Sequence, residues 1–136
     1  MLDVLIVEDD MTIADLLQEA LEAEGYSVSG IARTVKEAID AAEQYEPDFA
    51  VIDVHLAKGG LGTEVGAYLR RTTKIGIIFS TGNDHHKLTG LIGDAVMTKP
   101  YRLDDIARGL KIIGEMAEFG QTRLAFPRNF RLLSST

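Results

Sequence analysis

The chain has 136 residues, 46% of them apolar, which suits one globular domain with a sizeable core and excludes a disordered segment. It contains no cysteine, so disulfide frameworks and thiol catalysis are excluded, and a reducing cytoplasm is the expected setting. The formal charge is −7; residues 120–136 hold Arg123, Arg128 and Arg131 and no acid, leaving −10 on residues 1–119, a body that repels nucleic acid.

The N-terminus lacks the basic stretch and long apolar core of a signal peptide, and no apolar run approaches the length of a membrane span. Asp3–Val7 is a continuous apolar run that ends in Glu8-Asp9-Asp10, and it reads as a strand buried on both faces. Ile13, Leu16, Leu17, Ala20 and Leu21 recur at helical spacing, with Thr12 and Asp15 as a start signal and Gly25 as a stop. Ser27–Ala32 reads as a second strand. Thr34 with Glu37 forms a capping box ahead of the helical face Val35, Ala38, Ile39 and Ala42, and Pro47 closes that segment.

The third strand, Asp48 to Asp53, is four apolar residues ending on a carboxylate. A glycine-rich loop follows, then a short helix around Val65, Tyr68 and Leu69. Ile75–Phe79 is a fourth strand that ends at Ser80-Thr81-Gly82. Asn83–Gly93 is a poor helix interrupted by Gly90. Ala95–Thr98 is a fifth strand, and Leu103, Ile106, Ala107, Leu110 and Ile113 mark a last helix that runs to Phe119. Alternating β-α units imply an α/β, doubly wound, five-stranded parallel sheet with helices on both faces.

The polar residues of interest all follow strands: Glu8 and Asp9 the first, Asp53 the third, Thr81 the fourth, Lys99 the fifth. In a parallel sheet these positions share one edge. With strand order 2-1-3-4-5, Asp9 and Asp53 face each other across the switch point. Carboxylates gathered there repel one another and need a cation, and hard oxygen ligands suit Mg²⁺. His55, His85 and His86 offer a transition-metal alternative, although adjacent loop histidines are more often simply solvated. A carboxylate beside Mg²⁺ can attack phosphorus, an ammonium such as Lys99 can neutralise phosphoryl charge, and a hydroxyl such as Thr81 can donate to a phosphoryl oxygen.

From Val4 to Phe119 the chain resembles a response-regulator receiver domain, the flavodoxin-like fold of two-component signalling. The motifs are individually weak and become specific together, in order, each after a strand. The resemblance implies that Asp53 is phosphorylated by a histidine kinase or a histidine phosphotransfer protein. It implies Mg²⁺ held by Asp9 directly, by Glu8 through water, by Asp53 and by the backbone carbonyl of His55. It assigns Thr81 as the switch hydroxyl, Lys99 as the phosphoryl-binding lysine, and Lys99-Pro100 as a cis peptide. Asp10 lies one residue beyond the acidic pair and is read as a cap of the first helix. On this reading residues 1–119 form the receiver domain, and residues 120–136 are an extension that packs on the body or docks a partner. The protein would be a phosphoacceptor rather than an enzyme: a stand-alone switch or phosphate sink that works through protein contacts, with a downstream protein or a second copy as partner.

Val96 stands where many receivers carry the aromatic ring that rotates inward on activation, which puts that relay in doubt; Tyr101 is expected to pack against the sheet. Phe79-Ser80-Thr81-Gly82 resembles an atypical subgroup with Phe-Ala-Thr-Gly at this point, linked to kinases of the HWE type. Three alternatives stay open: a receiver-like binding module that is never phosphorylated, an Mg²⁺-dependent phosphatase with His55 as general acid, and a flavin-binding protein of the same topology. The last is disfavoured because Glu8-Asp9-Asp10 would repel a phosphate. Gly60-Leu61-Gly62 lacks the third glycine of a dinucleotide fingerprint, since position 65 is Val65, and is read as turn chemistry.

Overall fold

The computed structural model describes residues 1–56, 59–82 and 91–133. In chain order the elements are β1 (Asp3–Val7), α1 (Met11–Ala23), β2 (Ser27–Ala32), α2 (Val35–Tyr45), β3 (Phe49–Asp53), α3 (Gly62–Thr72), β4 (Gly76–Thr81), β5 (Ala95–Thr98), α4 (Leu103–Phe119) and β6 (Phe130–Leu132). The expected helix over Asn83–Gly93 lies, for residues 83–90, outside the described residues.

The sheet order is β2-β1-β3-β4-β5-β6, with β1 to β5 parallel. The order 2-1-3-4-5 follows the expectation. The strand count corrects it: β6, from the C-terminal segment, adds a sixth strand antiparallel to β5. Continuous apolar runs form the central strands because both faces are covered. One layer packs α1 and α4 on Val4, Ile6, Val51, Ile78 and Met97; the other buries Leu5, Val7, Ile52, Ile77 and Phe79 with α2 and α3 residues.

Several local expectations are corrected. The first helix is capped by Asp10, as expected, whose carboxylate accepts from the amides of Thr12 and Ile13, while the other expected start signal, Thr12 with Asp15, falls inside the helix. Leu16 is half-exposed, because the buried stripe of α1 runs through Ala14, Leu17 and Leu21. The Thr34 hydroxyl caps α2 by accepting from the Glu37 amide at 3.1 Å, while the Glu37 carboxylate reaches back to Arg33 rather than to the cap residue. β4 continues through Ser80 and Thr81, both buried. Gly109 opens a notch in α4 that the Phe130 ring fills; a Cβ there would come within 2.9 Å of that ring.

Among the described residues, no helix is long and apolar enough to cross a membrane.

Candidate functional site

The site lies where β1, β3, β4 and β5 end. Glu8 and Asp9 follow β1 and immediately precede Asp10 and α1, so they sit beside the positive end of a helix dipole. Asp53 is the last residue of β3, and β1 and β3 are hydrogen-bonded neighbours. One carboxylate oxygen from each of Glu8, Asp9 and Asp53 lies within 4.8 Å of the others.

Asp53 is only 8% exposed. Its Oδ1 accepts the His55 amide at 2.9 Å, and its Oδ2 faces the Lys99 ammonium at 3.5 Å. The chain can turn back this sharply after Asp53 because Gly62 has no side chain: a Cβ there would overlap the Asp53 carbonyl oxygen. The Gly62 amide donates to the Val54 carbonyl, which closes the loop against the strand end.

Thr81 ends β4 and registers with Thr98 of β5; its carbonyl accepts the Lys99 amide at 2.8 Å. The Lys99-Pro100 peptide is cis. The structure thus gathers Glu8, Asp9, Asp53, Thr81 and Lys99 at one edge and puts the His55 backbone in the same turn. His55 itself is exposed, and His85 and His86 lie outside the described residues. Asp10 takes no part in the carboxylate cluster; its amide donates to Glu8 Oε2 at 3.1 Å while its side chain caps α1.

Among the described residues, the electrostatics are those of an acidic nest faced by the Lys99 ammonium. Burial pushes the Glu8 carboxyl up to about 7; the Asp10 amide opposes this, and the nearby Asp53 charge adds to it. Burial works to lower the Lys99 ammonium, but the acidic groups around it, Asp53 foremost, outweigh it and the net shift is upward. An all-oxygen donor set this crowded, with one acid driven toward neutrality, fits a hard divalent cation such as Mg²⁺.

Sequence reasoning missed the pairing of Ser80 with Tyr101. Their hydroxyl oxygens lie 2.5 Å apart, and Tyr101 is half-buried beside Lys99 rather than only packed on the sheet. Burial raises the Tyr101 phenol above its ordinary value, against the opposing Ser80 bond. The only available signal was two hydroxyl-bearing residues near the strand-end residues Thr81 and Lys99.

Comparison with known proteins matches residues 4–111 to the model of the response regulator receiver domain. The phyllosphere-induced regulator PhyR of Methylorubrum extorquens is 36% identical over 89 residues, covering 65% of this chain and 33% of that protein. Regulatory protein VanR of Enterococcus faecium is 40% identical over 110 residues, covering 77% and 47%. The chain therefore spans a third to just under half of the length of these relatives. Among solved structures, the signal receiver domain of a modulated diguanylate cyclase from Desulfovibrio desulfuricans G20 superposes with a TM-score of 0.77 at 28% identity, covering 88% of this chain and 98% of that one. The anti-anti-sigma factor PhyR from Bartonella quintana gives 0.75 at 29%, covering 87% and 49%. A match over most of the chain, on a sheet of order 2-1-3-4-5 with acids, threonine and lysine at its carboxyl edge, means that this chain belongs to the response regulator receiver domain family.

Proposed function

We propose that the chain is a phosphoacceptor switch: Asp53 takes a phosphoryl group from the phosphohistidine of a histidine kinase or phosphotransfer protein, in a Mg²⁺-dependent step in the cytoplasm, and signals through protein contacts. The observation that carries this is the setting of Asp53, with one oxygen held by the His55 amide, the Lys99 ammonium 3.5 Å from the other, and two further carboxylates within 4.8 Å.

In the step, an Asp53 carboxylate oxygen forms a bond to phosphorus while the bond from phosphorus to the donor nitrogen breaks, and the imidazole leaves with that electron pair. The His55 amide holds the Asp53 carboxylate in one orientation for in-line attack. Lys99 neutralises charge on the phosphoryl oxygens, and the Thr81 hydroxyl donates to one of them. Glu8, Asp9, Asp53 and the His55 carbonyl are the groups that would hold Mg²⁺, which when bound offsets phosphoryl and carboxylate charge together.

The test is intact mass after incubation with acetyl phosphate and Mg²⁺. One phosphoryl group should add to the parent and none to Asp53→Asn. Labelling that persists in Asp53→Asn moves the acceptor elsewhere. A parent that takes no label from either acetyl phosphate or a phosphorylated kinase is a binding module instead.

A further inference from the structure

We infer that Asn129 and Tyr101 are positioning residues for Lys99, so that the C-terminal segment that carries Asn129 into β6 is a working part of the phosphoryl site rather than a passive edge. The inference rests on the phosphoacceptor reading of Asp53.

Lys99 sits in a short connection between β5 and α4 that is gripped from two sides. On the outer side, the Asn129 carbonyl accepts the Thr98 amide at 3.0 Å and its side-chain amide donates to the Pro100 carbonyl at 3.0 Å. Asn129 therefore bonds to the residue before Lys99 and to the residue after it. It does so at φ 66°, a left-handed conformation that asparagine tolerates better than most residues.

Asn129 is anchored in turn by its neighbours in the chain. Phe130 is buried in the Gly109 notch and pairs with Met97, and the Leu133 amide donates to the Asp94 carbonyl. Upstream, Arg108 donates to the Ala125 carbonyl at 2.7 Å, tying the connecting segment to α4.

On the inner side, the Tyr101 hydroxyl bonds to Ser80. The Ser80 carbonyl accepts the amide of Val54, the residue after Asp53, at 3.0 Å. A continuous run of bonds thus leads from Lys99's own loop through Tyr101 and Ser80 to the strand end that carries Asp53. The Lys99 amide on the Thr81 carbonyl completes the frame.

A side chain as long as lysine loses rotamer freedom when it is held on one target, and a fixed backbone root reduces what remains to be ordered. With both sides held, the ammonium is aimed at Asp53 before any phosphoryl group arrives. With Val96 offering no ring, the Ser80–Tyr101 contact is the aromatic link between β4 and the lysine loop.

The experiment uses the full chain. Asn129→Gly keeps access to the left-handed backbone and removes the side-chain amide; Tyr101→Phe removes one hydroxyl. Each should slow labelling by acetyl phosphate about fivefold, on the order expected from a small misplacement of a charge-stabilising group. Neither should change the rise in melting temperature produced by Mg²⁺, because the carboxylates are untouched. In a Lys99→Ala background, both substitutions should have no further effect on the labelling rate. Full-rate labelling in both single variants, or slowing that persists undiminished without Lys99, overturns the inference.

NMR relaxation of the Lys99 side-chain methylenes supplies a readout that needs no phosphorylation. They should be restrained in the parent and more mobile in Asn129→Gly, and equal mobility overturns the inference. If the parent takes no label, the phosphoacceptor reading fails while this relaxation measurement still decides the positioning role.

Discussion

Glu8 sits at this edge in surroundings that oppose its charge. It is 6% exposed, close to Asp9 and Asp53, and its carboxyl is pushed up to about 7, first by burial. A buried acid beside two others destabilises the metal-free protein and favours any cation that binds only the folded site. Glu8→Gln keeps an oxygen for the Asp10 amide and removes the charge. It should raise the melting temperature in metal-free buffer by a few degrees, equivalent to about 1 kcal/mol, and shrink the further rise produced by millimolar Mg²⁺. Thermal unfolding with and without Mg²⁺ reads both effects, and a lower metal-free melting temperature in Glu8→Gln would contradict the assigned burial cost. The acidic pair was legible in the sequence because it interrupts an apolar run abruptly. The division of labour between Asp9 and Asp10 was read through helix-start chemistry, and the carboxylate of Asp10 does cap α1.

Two elements depend on glycines in ways that spacing alone could not show. α3 begins at Gly62, where a Cβ would collide with the Asp53 carbonyl oxygen and with Ile52. Gly62→Ala should destabilise the fold by about 2 kcal/mol or force the turn after Asp53 to shift. In either case labelling of Asp53 should fall more than global stability does, as intact mass and denaturant unfolding together would show. The helix itself runs to Thr72, longer than its three periodic apolar residues suggest, and Gly66 lets it lie close against Phe79 of the sheet. β6 depends on Gly109 in the same way. Phe130→Ala leaves that notch empty and should cost about 3 kcal/mol at most, since a three-residue edge strand can detach instead of carrying the full cavity penalty. Hydrogen exchange should then show the Thr98 and Leu133 amides losing protection while β1 and β3 keep theirs. Uniform loss across the sheet would mean that β6 is integral to the whole core.

For the whole molecule, charge is divided unevenly: −10 over residues 1–119 against three arginines and no acid in residues 120–136. The acidic body should keep the protein off duplex DNA at physiological salt, which fluorescence anisotropy with a random duplex would check; micromolar binding would point to the arginines of the tail. Taken alone, the sequence determined the order of the described strands and helices as far as Phe119, the central strands to within a residue or two, and the polar residues at their carboxyl ends. The physical reason is that a strand buried on both faces is built on an apolar run, so the first charge or hydroxyl falls within a residue or two of its end. Tertiary structure alone decided the sixth strand, the Ser80–Tyr101 pair and the two-sided hold of Asn129 on the Lys99 loop. Phe130–Leu132 is too short to show a period of its own and becomes a strand only because the free edge of β5 supplies its hydrogen bonds. Likewise two hydroxyls that are 21 residues apart in the chain meet only once β4 and β5 are paired side by side.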